Sequence, residues 1–283
     1  MADVSKAVLI TGCSTGIGRA TAERLARSGW KVYATARRLE SIAELERHGC
    51  RLLACDVTDE ASMRAAVEAV EQADGAVGVL INNAGYSQSG AIETVSMDQV
   101  RRQFETNVFG LVRMTQLALP GMRRQRWGRV VNVSSMGGRF TFPGGGFYHA
   151  TKYAVEAISD ALRFEVKGFG VDVVIIEPGI IKTQFGDTAV GAIEEGTAPD
   201  GDYGDFNAAV AKATADVYDG PMSRLGGGPE TVASKIEKAL TANRPRARYT
   251  VTPSAKLLLT QRALLPDRGW DAFVATQFPR PGK

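Results

Sequence analysis

Cysteine is scarce in this chain. The three present, Cys13, Cys50 and Cys55, are odd in number and show no C-x-x-C spacing. That pattern excludes a disulfide framework and offers no zinc ligand set, so no metal is expected and the thiols read as small buried side chains in a reducing compartment. No run of 18 apolar residues occurs, which removes a membrane-spanning helix. The start, Met1-Ala2-Asp3-Val4-Ser5-Lys6, has no charged segment followed by an apolar one, and a cytoplasmic location is expected. Charge of one sign is also lacking, since 34 basic residues against 31 acidic ones leave a formal net charge of +3. One local cluster, Arg123-Arg124-Gln125-Arg126, reads as a solvated helix end, and nucleic acid is not expected as a partner. No repeat of solenoid type is present.

What is there supports a sizeable core: 283 residues, 44% of them hydrophobic, suit one α/β domain spanning 1–283. Ala7-Val8-Leu9-Ile10 reads as a strand, followed by a glycine-rich turn and a helix with Ile17, Ala20, Arg24, Leu25 and Ser28 inward and Gly29 at its close. Further strands are expected at Lys31–Ala36, Leu52–Val57, Val79–Ile81, Val130–Val133, Val171–Ile176 and Arg248–Thr252. Between them lie a helix near 39–48, one capped by Thr58, one opened by a Ser96/Gln99 capping box and carrying Asn107, and one running from Tyr148 to about Lys167. Unbroken strand–helix alternation over 1–183 argues for a doubly wound parallel sheet of about seven strands. Periodicity fails over 184–228, which reads as a long loop serving as a substrate lid. The last part, 229–283, reads as a helix, a strand and a tail whose Leu257, Leu258, Leu264, Leu265, Trp270 and Phe273 pack on the body, with a membrane surface as the alternative.

Four features carry chemistry. The loop Thr11-Gly12-Cys13-Ser14-Thr15-Gly16-Ile17-Gly18 joins a strand to a helix, so its backbone can approach a pyrophosphate held at the helix start. Its spacing, G-x-x-x-G-x-G, departs from the commoner G-x-G-x-x-G. The second strand ends in Ala36-Arg37-Arg38, where a dinucleotide-binding chain that takes NAD(H) has an acid for the ribose 2′-hydroxyl. A guanidinium there suits a 2′-phosphate, so NADP(H) is expected to be preferred, with NAD(H) possible. Asp56 and the turn Asn82-Asn83-Ala84-Gly85 end strands at the same rim. Finally, Tyr148 and Lys152 share a helical face. Bringing a phenol from a pKa near ~10 to 7 takes roughly 4 kcal/mol, and an adjacent ammonium has the sign to supply part of it. Ser135 would hydrogen-bond the oxygen that gains or loses the proton if the fold brings it beside Tyr148. Asn107, polar among apolar neighbours, is open to a structural or a functional reading.

Taken in order, Thr11-Gly12-x-x-x-Gly16-Ile17-Gly18, Asn82-Asn83-Ala84-Gly85, Asn107, Ser135, Tyr148-x-x-x-Lys152 and Pro178-Gly179 with Thr183 resemble the short-chain dehydrogenase/reductase family over nearly all of residues 6–183. The resemblance implies a single-domain Rossmann-type fold and hydride transfer between nicotinamide and a carbonyl or secondary alcohol. It implies Tyr148 as general acid/base, Lys152 lowering its pKa and holding the nicotinamide ribose, Ser135 steadying the substrate oxygen, and Asn107 anchoring a water-linked proton path to Lys152. Ser135 is preferred over Ser134 because it precedes Tyr148 by 13 residues, as in the family. The dinucleotide would meet Gly12, Ser14, Thr15, Gly16 and Ile17, its adenine flanked by Asp56 and Val57, its 2′-phosphate at Arg37 and a ribose along Asn83. Ala84, Gly85, Pro178, Gly179 and Ile181 complete that set, with Thr183 at the carboxamide. A homodimer or homotetramer is implied. Val32-Tyr33-Ala34-Thr35, Asn107-Val108-Phe109-Gly110 and the long tail look like the branch of 17β-hydroxysteroid dehydrogenases and retinol-type reductases. Phe140, Phe142, Phe147, Phe185 and Phe206 stand where a substrate would enter, which points to a lipophilic substrate. Two alternatives are a ketoreductase on an acyl or polyketide-type substrate, with Arg139 as its basic contact, and a non-catalytic NADP(H)-sensing protein.

Overall fold

Seven strands form one sheet, in a computed structural model that describes residues 4–183 and 201–281. They are β1 (Val8–Ile10), β2 (Val32–Ala36), β3 (Arg51–Ala54), β4 (Val79–Asn82), β5 (Gly128–Val133), β6 (Val171–Glu177) and β7 (Arg248–Thr250). Their order is β3-β2-β1-β4-β5-β6-β7, and every pairing is parallel. A parallel sheet is covered on both faces, which is why these strands are continuous apolar runs rather than alternating ones. Alternate side chains still go to opposite layers. Val8, Ile10, Val79, Ile81, Val174 and Ile176 pack under helices α1 (Gly16–Arg27) and α7 (Pro229–Thr241), with Ile42 and Leu45 of the 3₁₀ segment Leu39–His48. Leu9, Leu80, Val130 and Val173 pack under α2 (Glu60–Asp74) and α4 (Gly110–Arg124), through Met63, Val67, Val70, Met114, Ala118 and Met122.

From β1 the chain passes to β2 and β3 on one side, then crosses to β4 on the other. That reversal opens a crevice at the carboxyl ends of β1 and β4, the general ligand position of open α/β sheets.

Local chemistry places several element ends. The Ser96/Gln99 capping box opens α3 (Met97–Phe104) as expected. The cap of α2 is Asp59 rather than Thr58: Asp59 accepts from the backbone N–H groups of Ala61 and Ser62, while Thr58 donates to Asp56. On α1 the inner face is Gly18, Thr21, Ala22 and Leu25. Arg24 and Ser28, expected inward, are exposed and bond Glu237 of α7.

The described part of 184–228 is not a loop. Residues Gly204–Asp219 form α6, which buries Phe206 and Val210 and binds the Ala91 N–H through Asn207. Residues 184–200 lie outside the described residues. The tail is two helices, α8 (Pro253–Leu264) and α9 (Asp267–Ala275), joined to the body at buried Leu258 and Trp270, while Leu257 and Leu264 are exposed. Among the described residues no helix is long and apolar enough to cross a membrane. The three cysteines are buried and free, their thiols pushed up by burial.

Candidate active site

The crevice is built by two loops that grip each other. Thr11 Oγ1 accepts from the N–H groups of Asn83 (3.0 Å) and Ala84 (3.1 Å), and Asn83 Nδ2 donates to the carbonyls of Thr11 (3.0 Å) and Gly12 (2.9 Å). Gly12 has φ +72°, and a Cβ there would lie 2.8 Å from the Ala84 Cα. Gly18 is packed as tightly, with a hypothetical Cβ 2.3 Å from the Gly12 carbonyl oxygen. Glycine is required at both positions, the first by conformation and contact, the second by contact. At the start of α1, Thr15 makes no side-chain capping bond and the first turn holds no acid. The free N–H groups therefore point an uncompensated partial positive charge at whatever lies before the helix.

The second half of the site comes from β5 and α5 (Gly146–Glu165). A buried polar chain sets their relation: Asn82 donates to Asn132 (2.9 Å) and Thr115 (3.0 Å), and Asn132 donates to Ser159 (2.8 Å). β5 delivers Ser135, whose Oγ accepts from the Gly137 N–H at 3.0 Å and opens the turn Met136–Gly138. Tyr148 and Lys152 lie one helical turn apart, with Lys152 Nζ 5.7 Å from the phenol ring centroid. The ammonium donates to the Val133 carbonyl at 2.9 Å.

Burial governs both groups. It raises the Tyr148 phenol above its ordinary range, opposed by a hydrogen bond with Ser135. It pushes the Lys152 ammonium down to about 8, opposed by the charge of Glu156. Burial alone thus moves the phenol opposite to the direction in which the Lys152 ammonium would move it, and Tyr148 is protonated at neutral pH.

Asn107 lies in the helical run that the Ser96 cap opens, near Lys152: a Cβ at Gly85 would be 3.1 Å from its Oδ1 and 3.8 Å from Lys152 Nζ. It sits in a π-helical turn, Glu105–Phe109, between α3 and α4. Its amide is 1% exposed, donates to the Tyr86 carbonyl (2.9 Å) and Thr151 Oγ1 (3.1 Å), and accepts from the Tyr86 N–H (3.1 Å). It clamps the loop after Gly85 from behind and does not border the cavity.

That cavity has a volume of about 1420 Å³ and spans both halves. It is bordered by Gly12, Ser14, Thr15, Gly16, Ile17, Arg37, Asp56, Val57, Asn83, Ala84 and Gly85 on one side, and by Ser135, Tyr148, Lys152, Pro178, Gly179, Ile181 and Thr183 on the other. Arg37 is exposed at the rim and forms no ion pair among the described residues. A space larger than a single-ligand pocket suits a dinucleotide together with a second molecule.

Beyond the expected set, Tyr86, Arg102 and His149 border the cavity, as do Leu258, Phe273 and Phe278 of the tail. Phe142 stacks on Trp270 at 5.6 Å, and Trp270 meets Phe140 and Phe273. Phe206 packs instead with Ala91 and Val210, Phe147 does not border the cavity, and Phe185 lies outside the described residues.

Comparison with known proteins agrees with this architecture. The profile of the family described as short chain dehydrogenase matches residues 6–191. Among curated proteins, the 3-ketodihydrosphingosine reductase of Bacteroides thetaiotaomicron is 37% identical over 92% of this chain and 93% of its own. The NADPH-dependent 3-dehydrocapnine reductase of Ornithobacterium rhinotracheale is 38% identical over 93% and 94%. A solved short-chain dehydrogenase from Streptomyces avermitilis superposes with a TM-score of 0.77, at 31% identity over 96% of both chains. The chain belongs to the short-chain dehydrogenase family of oxidoreductases.

Proposed function

We propose that this protein reduces the carbonyl of a lipophilic ketone, or oxidises the matching secondary alcohol, with NADP(H) as hydride carrier. The observation that carries the reading is the convergence of Ser135, Tyr148 and Lys152 on one cavity with the β1/β4 crevice. NADPH, when bound, supplies the hydride that reaches the carbonyl carbon. Tyr148, protonated at neutral pH, gives its proton to the carbonyl oxygen as that oxygen gains charge. Ser135 hydrogen-bonds the same oxygen, and the Lys152 ammonium favours the phenolate left behind. In this reading Asn107 fixes the loop after Gly85, which would border the cofactor, and anchors a water-linked proton path to Lys152.

Cofactor choice rests on Arg37, a cation at the rim with no carboxylate partner among the described residues, placed to pair with a 2′-phosphate. The name of the Ornithobacterium relative, an NADPH-dependent reductase, supports this. For the lipophilic substrate the support is the wall of Phe142, Met222, Leu258, Phe273 and Phe278. Helix α6 borders the same end through Val210, Ala213 and Val217, so we assign it the role of cover over the substrate. Within the family, Val32–Thr35 and Asn107–Gly110 favour the branch that reduces steroids and retinoids. The acyl-substrate alternative is weakened because Arg139 pairs with Glu177 at 3.3 Å. Exposed Tyr153 and Phe164 on α5 support a homo-oligomer.

A panel of carbonyls from small polar ketones to steroids and long-chain ketones, followed by NADPH absorbance, tests the reading. A lipophilic ketone is expected as the best substrate, and Tyr148→Phe is expected to abolish turnover while NADPH still binds. A small, highly charged best substrate would sink the lipophilic assignment, and a Tyr148→Phe enzyme with near-native rate would sink the mechanism.

A further inference from the structure

His149 follows Tyr148 directly, yet nothing in the mechanism uses it. Its Nδ1 lies 2.9 Å from the Gly137 carbonyl oxygen. A carbonyl only accepts, so the proton sits on Nδ1 and Nε2 is left with its lone pair. Nε2 has no hydrogen-bond partner among the described residues, and the ring borders the cavity. Burial also pushes the imidazole below the usual histidine range, which keeps it neutral and Nε2 an acceptor at pH 7.

The ring is held by two glycines. A Cβ at Gly137 would lie 2.4 Å from Nδ1, and one at Gly145 would lie 2.8 Å from Nε2. Neither position accepts a side chain while the imidazole stays where it is. The same hypothetical Gly137 Cβ is 3.4 Å from Ser135 Oγ, and the His149 and Tyr148 rings are 5.7 Å apart, so the imidazole flanks both groups that would hold the substrate oxygen. Simple packing would need no free ring nitrogen here. The cavity's Phe142, Met222, Leu258, Phe273 and Phe278 are apolar, whereas this acceptor lies on the residue next to Tyr148.

On the reading of Ser135 and Tyr148 as the carbonyl-binding pair, we propose that His149 Nε2 is a fixed acceptor selecting ketones that carry a hydrogen-bond donor, a hydroxyl or an amine, on the carbon next to the carbonyl. A substrate with that donor satisfies Nε2 as it seats. One without it leaves a partly buried acceptor unpaired, a mismatch that discriminates more strongly than an extra methylene does.

Three matched long-chain ketones test this: the plain ketone, its 2-hydroxy analogue and its 2-amino analogue, each followed by NADPH absorbance. The wild-type enzyme is expected to prefer one or both donor-bearing ketones over the plain one by about ten- to a hundredfold in kcat/KM. The ratio between the two analogues tells a hydroxyl reader from an amine reader. His149→Asn keeps a donor for the Gly137 carbonyl but has no acceptor at the Nε2 position, and His149→Phe keeps the ring volume alone. Both variants are expected to lose the preference, with kcat/KM for the donor-bearing ketones falling about ten- to a hundredfold further than for the plain one. Equal loss on all three ketones would show that the ring only supports the Gly137 turn, and an unchanged preference would show that Nε2 reads nothing; either overturns the proposal. Wild-type turnover without donor preference overturns this inference alone, whereas no turnover of any of the three overturns the proposed function with it.

Discussion

Lys152→Met gives a direct measure of how dry the catalytic end of the cavity is. Lys152 is 6% exposed, and burial moves its ammonium from 10.5 to about 8. A charge that must be carried into such a place costs about 3 kcal/mol while the group is protonated in both states. The sign follows from proton counting. Between about pH 8 and 10.5 the unfolded chain binds the lysine proton and the folded chain releases it, so this contribution to stability rises with pH. The penalty is complete below about pH 8 and fades above it. Methionine has similar volume and no charge, and it leaves the Val133 carbonyl without its donor, a loss that does not depend on pH. The stability of wild type relative to Lys152→Met is therefore expected to increase by about 2 kcal/mol between roughly pH 7 and 9.5. Equilibrium urea unfolding at the two pH values measures it, and staying below the phenol range keeps Tyr148 from contributing. The other shifted groups, including the three cysteines, are common to both proteins and cancel. A gap constant to within about 0.5 kcal/mol would mean that the ammonium is solvated, and the assignment of a desolvated Tyr148–Lys152 pair would fall.

Two further outcomes test other parts of the structure. Arg37→Ala is expected to weaken NADP(H) binding by roughly 1.5–3 kcal/mol and to spare NAD(H), measured by titration of nucleotide fluorescence; equal losses for both cofactors would show that Arg37 does not read the 2′-phosphate. Trp270→Ala removes a ring that packs on Phe140, Phe142 and Phe273, and it is expected to cost roughly 3–5 kcal/mol of stability and to raise KM for a lipophilic ketone with NADPH affinity unchanged.

What could be read from the sequence was local. The glycine loop, the Asn82–Gly85 turn and the Tyr148/Lys152 spacing each lie within a few residues, and the strand–helix alternation that brings them to one rim is itself a local pattern repeated. Asn107 was legible as odd but not as placed, because a π-helical turn shifts which residues face inward and leaves no mark in a 3.6-residue periodicity. Helix α6 was missed for a different reason. Phe206, Val210, Ala213 and Val217 recur at helical spacing, yet the surrounding Gly, Asp and Ala dilute the apolar signal below that of the sheet-covering helices. The effect of burial on Tyr148 was not legible, because spacing reveals a neighbouring charge but not the depth at which both groups are buried. His149 was in plain sight beside Tyr148; the signal that singles it out is the pair of glycines that make room for its ring, Gly137 and Gly145, and the sequence does not mark which of the several glycines nearby touch it.

The wall supplied by α8 and α9 has a consequence for synthesis. A chain made from its N-terminus has β1 to β4 and the glycine loop outside the ribosome long before residues 253–281 exist, and folding begins with what has emerged. The β1 and β4 face must then wait for α7, and the catalytic loop at Phe140 and Phe142 waits longer still, its apolar side uncovered, for Trp270 to be translated. During that interval the nascent protein displays a greasy surface that the finished one hides.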